Sequence, residues 1–226
     1  MFSGKKAIIF DLDNTLYPHN KEFSSLLDKV MASVLIEEFG INLSFERILD
    51  TVKESYSKYR DGGEIFYREY GVDKKKFYDA YHKREILEAV DKIIPLEGLA
   101  ERLKRIKIKK FVFTYSSREA CESILKQLGL YEIFEGYFYS VEDFGILTKN
   151  EDPNVYLKLC ERIELAPTEC IFVDDSYSNL ELPKEIGMTT VRIFYNENSA
   201  GDKEYIDAAY KGVNAFLDDF LIKKGG

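Results

Sequence analysis

The sequence predicts an α/β protein whose core is a three-layer parallel sheet and which carries an inserted α-helical domain. Three observations support this fold class. Residues 7–10 have the character of a buried strand, residues 18–94 show only helical periodicity, and strands alternate with helices from residue 95 onward. Strands and helices that alternate are joined by right-handed crossovers, which give a parallel sheet covered by helices on both faces. We therefore expect a Rossmann-like core.

The segment after the first strand is helical throughout. Apolar side chains recur at helical spacing in about four stretches of this segment, with Ser44 and Asp73 as candidate caps. No stretch alternates in the way that a strand would. The sequence thus predicts a core domain made of residues 1–17 and 95–226, and a helical cap domain made of residues 18–94.

The core continues with further strands and with helices between them. The predicted strands are IKKFVFT, GYFYS, CIFVDD and MTTVRIF. We expect one helix to begin at Pro95, because proline is favoured in the first turn. Another should begin at Ser116, since Ser116 and Glu119 have the spacing of a capping box. The last predicted element is one amphipathic helix, YIDAAYKGVNAFLDDFL, at residues 205–221.

Composition excludes several classes of protein. The 226 residues are 45% hydrophobic and carry a net charge of −8, which argues against a nucleic-acid or membrane-surface partner. No apolar stretch approaches the roughly 18 residues that a transmembrane helix needs. The cysteines Cys121, Cys160 and Cys170 are widely spaced in apolar patterns. We expect them to be buried thiols in a reducing compartment, and we predict a cytoplasmic location.

Acidic residues follow two of the predicted strands. Asp11 and Asp13 stand after the first strand, and Asp174 and Asp175 end CIFVDD. Because ligands of parallel sheets bind beyond the carboxyl ends of the strands, these groups should converge with Thr114 on one crevice. Two carboxylates about 4 Å apart repel by roughly 4 kcal/mol at an effective dielectric constant near 20. A divalent cation would offset that repulsion, and oxygen ligands without nearby His or Cys favour Mg²⁺ over zinc.

This set of groups is typical of phosphoryl transfer. One carboxylate would attack phosphorus and form an aspartyl-phosphate, and its partner two residues on would protonate the leaving oxygen and then activate water. Thr114 and the backbone N–H groups around Tyr115 and Ser116 would hold phosphate oxygens. A lysine would neutralise the charge that develops on the nucleophile and the phosphoryl group.

Four features of the sequence, in their order along the chain, resemble the haloacid dehalogenase-like superfamily of phosphohydrolases. They are FDLDNTLY, FVFTYSS, a lysine before the helix at 153–163, and FVDDSYSNL. The combination of DLDNTLY with VDDSYSN looks closest to its pyrimidine 5′-nucleotidase-like branch. The resemblance implies that Asp11 is the nucleophile and Asp13 the general acid and base. It also implies that Asp11, the Asp13 carbonyl and Asp174 bind Mg²⁺. By the same resemblance, Asp175 orients metal-bound waters or the lysine, and the helical insert closes over the substrate. The expected substrate-binding residues are Thr15, Thr114, Tyr115, Ser116 and Lys149.

The lysine departs from the family pattern, which is lysine, proline, any residue, proline and then an aromatic residue three positions on. If Pro153 and Tyr156 are aligned with that pattern, Asn150 takes the lysine position and Lys149 lies one place earlier. A loop accommodates a shift of one residue, so Lys149 is the predicted lysine. Two alternatives to Lys149 remain: the site lacks its lysine and is weakened, or a lysine from elsewhere in the chain takes this role.

More than one substrate and more than one class of protein fit these residues. The expected partner is a small-molecule phosphate ester: a nucleoside 5′-monophosphate by resemblance, or else a sugar phosphate or phosphoglycolate. A catalytically weakened phosphate-binding protein is also compatible with the motifs. A signalling receiver domain would lack Asp13 and the insert, and a dehalogenase typically lacks the second aspartate. We expect a monomer or a homodimer, with His82 at the surface. We expect Tyr56, Tyr59, Tyr67 and Tyr70 to pack within the helical insert, and a surface that stacks on a substrate base is the alternative role for them.

Overall fold

The computed structural model describes residues 1–59, 61–147, 149, 154–195 and 203–224. The chain divides into two compact units. One consists of Met1–Pro18 and Ile94–Gly226, and the other consists of His19–Ile93. The first unit contains both strands and helices, whereas the described part of the second contains helices alone. That the second unit acts as a cap stays a prediction.

The helical unit has a core of its own. Its α-helices in the described residues are α1 (Lys21–Glu37), α2 (Phe45–Tyr59), α3 (Glu64–Glu69) and α4 (Lys74–Glu88). Their apolar faces enclose a cluster that includes Phe66 and Phe77, and Tyr67 packs against this cluster. Asp73 caps α4 as predicted, because its side chain accepts a hydrogen bond from the N–H of Lys76 at 2.8 Å.

The predicted surface position of His82 is wrong. The side chain of His82 is buried on α4, and its Nδ1 lies 3.1 Å from Oε2 of the buried Glu85. The rings of Tyr78 and Tyr81 pack against the imidazole. Pairing with Glu85 satisfies a ring nitrogen, which makes burial of a histidine on this helix favourable.

The described strands of the other unit form one six-stranded parallel sheet in the order β3-β2-β1-β4-β5-β6. They are β1 (Ala7–Phe10), β2 (Lys109–Thr114), β3 (Phe138–Ser140), β4 (Cys170–Asp174), β5 (Thr189–Phe194) and β6 (Ala208–Lys211). β1 is central: Phe10 is in register with Val112 of β2 and with Val173 of β4. The predicted α/β fold class with a parallel sheet is confirmed.

Helices follow most of these strands. They are α5 (Leu99–Arg105), α6 (Arg118–Gln127), α7 (Tyr131–Phe134), α8 (Val155–Arg162), α9 (Glu181–Glu185) and α10 (Val213–Lys224). Successive side chains of β1 serve opposite faces of the sheet. Ile9 belongs to a cluster with Tyr156 of α8. The ring of Phe10 contacts Phe134 of α7 and Phe216 of α10. In the described part of the chain, no helix combines the length and the apolar character needed to cross a membrane.

The predictions for the terminal helix and for the start of the helix at Pro95 are wrong. The segment predicted as one terminal helix forms β6 and then α10, with Gly212 between them at φ +82°. Residues 208–211 pair with β5 and extend the sheet, so tertiary pairing overrides the helical periodicity of the sequence. α5 begins at Leu99 and not at Pro95, because Gly98 precedes it in the left-handed conformation at φ +70°.

Candidate active site

Asp11 lies at the centre of the candidate site, directly after β1. Its backbone N–H donates to the carbonyl of Val173 at 2.8 Å, which extends the pairing of β1 with β4 by one residue. Asp11 is therefore a neighbour of Asp174, the residue that follows Val173. The Asp11 side chain is buried, and its Oδ2 accepts a hydrogen bond from Oγ1 of Thr15 at 3.1 Å. Thr15, which we expected to bind substrate, thus holds the predicted nucleophile.

Three carboxylates meet at this strand end. Oxygens of Asp11, Asp174 and Asp175 lie within 4.8 Å of one another. Asp11 and Asp174 are buried, and Asp175 is half-buried. Nδ2 of Asn14 donates to Oδ2 of Asp175 at 2.7 Å and fixes that carboxylate. Asn14 has φ +55°, a left-handed conformation that asparagine adopts more readily than most residues.

The close approach of these carboxylates changes their titration. Burial, followed by the charges of Asp174, Asp175 and Asp13, raises the pKa of Asp11 well above its usual value, although Lys149 opposes this rise. Burial and the charge of Asp174 raise the pKa of Asp175 to about 7. Burial is the larger cause of both raised pKa values and the neighbouring carboxylates add to it, so further positive charge would favour the ionised form of the cluster.

The ammonium group of Lys149 lies between two of these carboxylates. Nζ donates to Oδ1 of Asp11 at 2.6 Å and to Oδ2 of Asp174 at 3.0 Å, and the side chain is fully buried. Burial lowers the pKa of Lys149, but the two carboxylates outweigh burial and raise the pKa above its usual value, so the group stays charged. Asn150, the competing candidate for this position, and Pro153, on which its alignment depends, fall outside the described residues.

The carboxylate of Asp13 faces the turn that follows β2. Its Oδ2 accepts hydrogen bonds from Oγ of Ser116 at 2.9 Å and from Oγ1 of Thr114 at 3.4 Å. Its Oδ1 accepts one from the hydroxyl of Tyr17. In the described residues this carboxylate is not part of the cluster of three. The metal ligand predicted at Asp13 is its backbone carbonyl, and that ligand stays a prediction.

The turn from β2 into α6 differs from the prediction at the helix cap. Ser117 caps α6 in place of Ser116, because Oγ of Ser117 accepts a hydrogen bond from the N–H of Ala120 at 3.2 Å. The hydroxyl of Ser116 is directed to Asp13 instead. The backbone N–H of Ser116, which we expected to hold phosphate, donates to Oγ1 of Thr114 at 3.0 Å.

Three polar residues of the site received no role from the sequence. They are Asn14, Tyr17 and Asn179. Nδ2 of Asn179 donates to Oδ1 and Oδ2 of Asp174 at 3.1 and 3.2 Å. Tyr17 stands four positions after Asp13, and this spacing was a local signal that could have identified the contact. Asn14 and Asn179 lie within the motifs DLDNTLY and VDDSYSN, but their partners depend on how the chain folds around them.

The residues present fit a hard divalent cation. The cluster offers carboxylate oxygens from Asp11, Asp174 and Asp175, and it contains no histidine or cysteine among the described residues. Oxygen ligands of this kind suit Mg²⁺, Ca²⁺ or Mn²⁺ better than zinc. Burial is the largest cause of the raised pKa values of Asp11 and Asp175, and neighbouring carboxylates add to it, so a bound cation would favour the ionised form of both groups.

Comparison with protein families gives one assignment that spans most of the chain. A family model described as haloacid dehalogenase-like hydrolase matches residues 5–187. The matched range contains every residue of the site described above.

Comparison with individual proteins gives distant relatives of similar length. The protein PpaX of Clostridium perfringens is 29% identical over 84% of each chain. The glyceraldehyde 3-phosphate phosphatase of Methanopyrus kandleri is 25% identical over 83% of each chain. Among solved structures, the L-2-haloacid dehalogenase of Xanthobacter autotrophicus superposes with a TM-score of 0.62 at 14% identity, covering 98% of this chain and 100% of the other. At that identity the superposition supports the fold alone.

Proposed function

This chain belongs to the haloacid dehalogenase-like hydrolase family, and we propose that it is a Mg²⁺-dependent phosphatase of small-molecule phosphate monoesters. One observation carries the proposal. The buried carboxylate of Asp11 is held between Thr15 and Lys149, beside Asp174. A carboxylate fixed on both oxygens is preorganised as a nucleophile.

The first chemical step is attack of an Asp11 oxygen on phosphorus. A bond forms between that oxygen and phosphorus, and the bond between phosphorus and the ester oxygen breaks. The leaving oxygen takes the electron pair of that bond and a proton from Asp13, whose carboxyl faces Ser116 and Thr114. The products are the free alcohol and an aspartyl-phosphate on Asp11.

The second step is hydrolysis of this aspartyl-phosphate. Asp13, now ionised, takes a proton from a water molecule as the water oxygen attacks phosphorus. The bond between phosphorus and the Asp11 oxygen breaks, which releases inorganic phosphate and restores the Asp11 carboxylate. Asp13 ends the cycle protonated, ready for the next leaving group.

Positive charge around Asp11 supports both steps. Lys149 contacts Asp11 and Asp174 and would lower the repulsion between the nucleophile and the phosphoryl oxygens. Mg²⁺ held by Asp11 and Asp174, with Asp175 nearby, would supply the further charge that orients a phosphate and stabilises its transition state. Thr114 and Ser116 remain the proposed phosphate-binding residues, together with the backbone N–H of Tyr115.

The proposed substrate is a small phosphorylated metabolite. The motifs that resemble the pyrimidine 5′-nucleotidase-like branch favour a nucleoside 5′-monophosphate. The Methanopyrus kandleri relative is named for a triose phosphate, which supports a sugar phosphate as the second candidate. In the helical unit, Tyr67 packs against the core of that unit, whereas Tyr56 and Tyr70 are exposed. We also propose a cytoplasmic protein that acts as a monomer or homodimer.

Asp13 distinguishes this proposal from a dehalogenase that shares the fold. Dehalogenation needs no acid for an alkoxide leaving group, whereas hydrolysis of a phosphate ester does, and Asp13 is the acid that we propose. The alternative hypothesis, a phosphate-binding protein with weakened catalysis, requires that no lysine contacts the nucleophile. The contacts of Lys149 with Asp11 and Asp174 favour the enzyme.

Phosphate release from an activated aryl phosphate tests the proposal. The wild type should release phosphate with Mg²⁺, and EDTA should stop the reaction. Asp11→Asn removes the nucleophile with little change of shape and should be folded but inactive. Asp50→Asn, which alters an exposed carboxylate of α2, is the matched control and should keep full activity. Activity that survives in Asp11→Asn would contradict the covalent mechanism.

A further inference from the structure

Tyr115 joins two parts of the site through its hydroxyl group. It follows Thr114 at the end of β2, and its ring packs half-buried against the core cluster on one face of the sheet. The hydroxyl donates to Oδ1 of Asn179 at 2.9 Å. Asn179 lies in the turn after β4, so this hydrogen bond links the ends of two strands that are not neighbours in the sheet.

The Asn179 amide is held at both ends, by Tyr115 and by Asp174. With Oδ1 facing the tyrosine, Nδ2 faces Asp174 and lies 3.1 and 3.2 Å from its two oxygens. The reverse orientation would place an amide oxygen against a carboxylate, which repels it. Asn179 is buried, so water does not readily replace either partner. Tyr115 thereby helps to orient the Asp174 carboxylate.

The ring of Tyr115 contacts the lysine of the site. Nζ of Lys149 lies 5.0 Å from the centre of this ring and 5.4 Å from the centres of the Phe113 and Phe172 rings. An ammonium group over aromatic faces is attracted by their negative potential. Tyr115 therefore contacts Lys149 directly and is linked to Asp174 through Asn179. Both Lys149 and Asp174 lie beside the Asp11 carboxylate.

We propose that Tyr115 is a positioning residue for the metal and the nucleophile: its hydroxyl orients Asp174 through Asn179, and its ring holds Lys149 in place. This inference rests on the proposed function, because it assigns Tyr115 a role in the same site. A purely structural role would be packing on the core cluster. Tyr139 packs half-buried against the same cluster and gives a matched control.

The experiment measures Mg²⁺ affinity by calorimetry in the full-length protein. Tyr115→Phe keeps the ring and removes the hydroxyl, and it should raise the Mg²⁺ dissociation constant about two- to tenfold, the effect of losing one hydrogen bond. Tyr139→Phe should leave the constant within about twofold of wild type. In an Asn179→Ala background, Tyr115→Phe should have no further effect, because the hydroxyl acts through the amide. Without metal, Tyr139→Phe should melt at the wild-type temperature. Tyr115→Phe should melt somewhat below it, because it leaves the buried Oδ1 of Asn179 without its donor.

Unchanged Mg²⁺ affinity in Tyr115→Phe would overturn the inference, as would an equal loss in Tyr139→Phe or a wild type that binds no Mg²⁺ at millimolar concentration. If Asn179→Ala does not fold, the comparison of the two tyrosine variants decides alone.

A second experiment tests the ring: Tyr115→Leu should lower kcat on an aryl phosphate further than Tyr115→Phe does, with KM unchanged. Wild type that binds Mg²⁺ but releases no phosphate would contradict the proposed function, and the affinities would still decide the role of Tyr115.

Discussion

Nζ of Lys149 lies 2.6 Å from Oδ1 of Asp11, although 138 positions separate the two residues in the chain. Both side chains are buried, and the ammonium also contacts Asp174. An ion pair without solvent is stable only when its remaining hydrogen-bonding capacity is satisfied, and removal of one partner is costly. Substitution of Lys149 or Asp11 should therefore have a large effect on activity and on stability.

Loss of Lys149 should reduce activity severely. Lys149→Ala removes the ammonium that contacts Asp11 and Asp174, and kcat/KM for an aryl phosphate should fall on the order of 10²-fold or more. Lys158→Ala, at an exposed position of α8, is the control and should have little effect. Asn150→Lys should also change little. A mild effect of Lys149→Ala, together with a steep gain from Asn150→Lys, would show that the lysine has been assigned wrongly.

Substitution of Asp13 should depend on the leaving group. Asp13→Asn cannot donate a proton, so it should slow hydrolysis of an alkyl phosphate far more than hydrolysis of an activated aryl phosphate, whose leaving oxygen needs less protonation. Both substrates are measured with the same preparation of the variant, so a loss of folded protein would lower both rates equally. If both rates fall by the same factor, Asp13 is not the general acid.

The contribution of Asp175 to the stability of the metal-free protein should fall as pH rises from about 4 to about 7. Burial and the charge of Asp174 raise the pKa of Asp175 to about 7, whereas an aspartate in the unfolded chain has a pKa of about 3.9. Because the folded state binds this proton more tightly, the stabilisation is fully present below about pH 4 and is lost as the pH rises through about 7. The melting temperature in EDTA reports the change.

Asp175→Asn is the variant that checks this assignment. It removes the titrating group, so its melting temperature in EDTA should vary less with pH than that of the wild type over the same window. Asp50→Asn should follow the wild-type curve. If the Asp175→Asn and wild-type curves are parallel, Asp175 does not titrate as proposed.

Mg²⁺ should stabilise the fold. At a hundredfold excess over its dissociation constant, an ion that binds only the folded state adds about 2.7 kcal/mol, which corresponds to roughly 5–10 °C in a protein of this size. Asp174→Asn removes a buried ligand of the cluster and should abolish most of this shift. EDTA should reverse the shift in the wild type, and an equal shift in Asp174→Asn would place the ion elsewhere.

The substrate class can be decided by a ranked panel. We expect UMP or CMP to give a higher kcat/KM than AMP, several sugar phosphates and phosphoglycolate, in line with the resemblance of DLDNTLY and VDDSYSN to the nucleotidase-like branch. If a sugar phosphate exceeds every nucleotide by tenfold or more, the nucleotidase assignment is wrong. The phosphatase assignment would be unaffected by that result.

Local patterns of apolar residues in the sequence were sufficient to predict most of the strands and helices. Residues 7–10 are uniformly apolar, which is the pattern of a strand buried on both faces, and the structure has β1 there. The alternation after residue 95 predicted a parallel sheet, which is confirmed. The terminal segment was predicted wrongly because β6 is an edge strand. Its conformation depends on pairing with β5 and not on its own periodicity.

The sequence by itself determined which chemical groups stand at the strand ends, because residue type and strand position are local properties. It predicted that the carboxylates of Asp11, Asp13, Asp174 and Asp175 converge, and in the described residues three of these four form one cluster, without Asp13. The pairing of Lys149 with Asp11 was predicted with competing alternatives, whereas only the tertiary structure decided the pairing of Asp13 with Ser116 and of Tyr115 with Asn179. These contacts join segments that are distant in the chain, and the order of strands in the sheet brings them within hydrogen-bond distance.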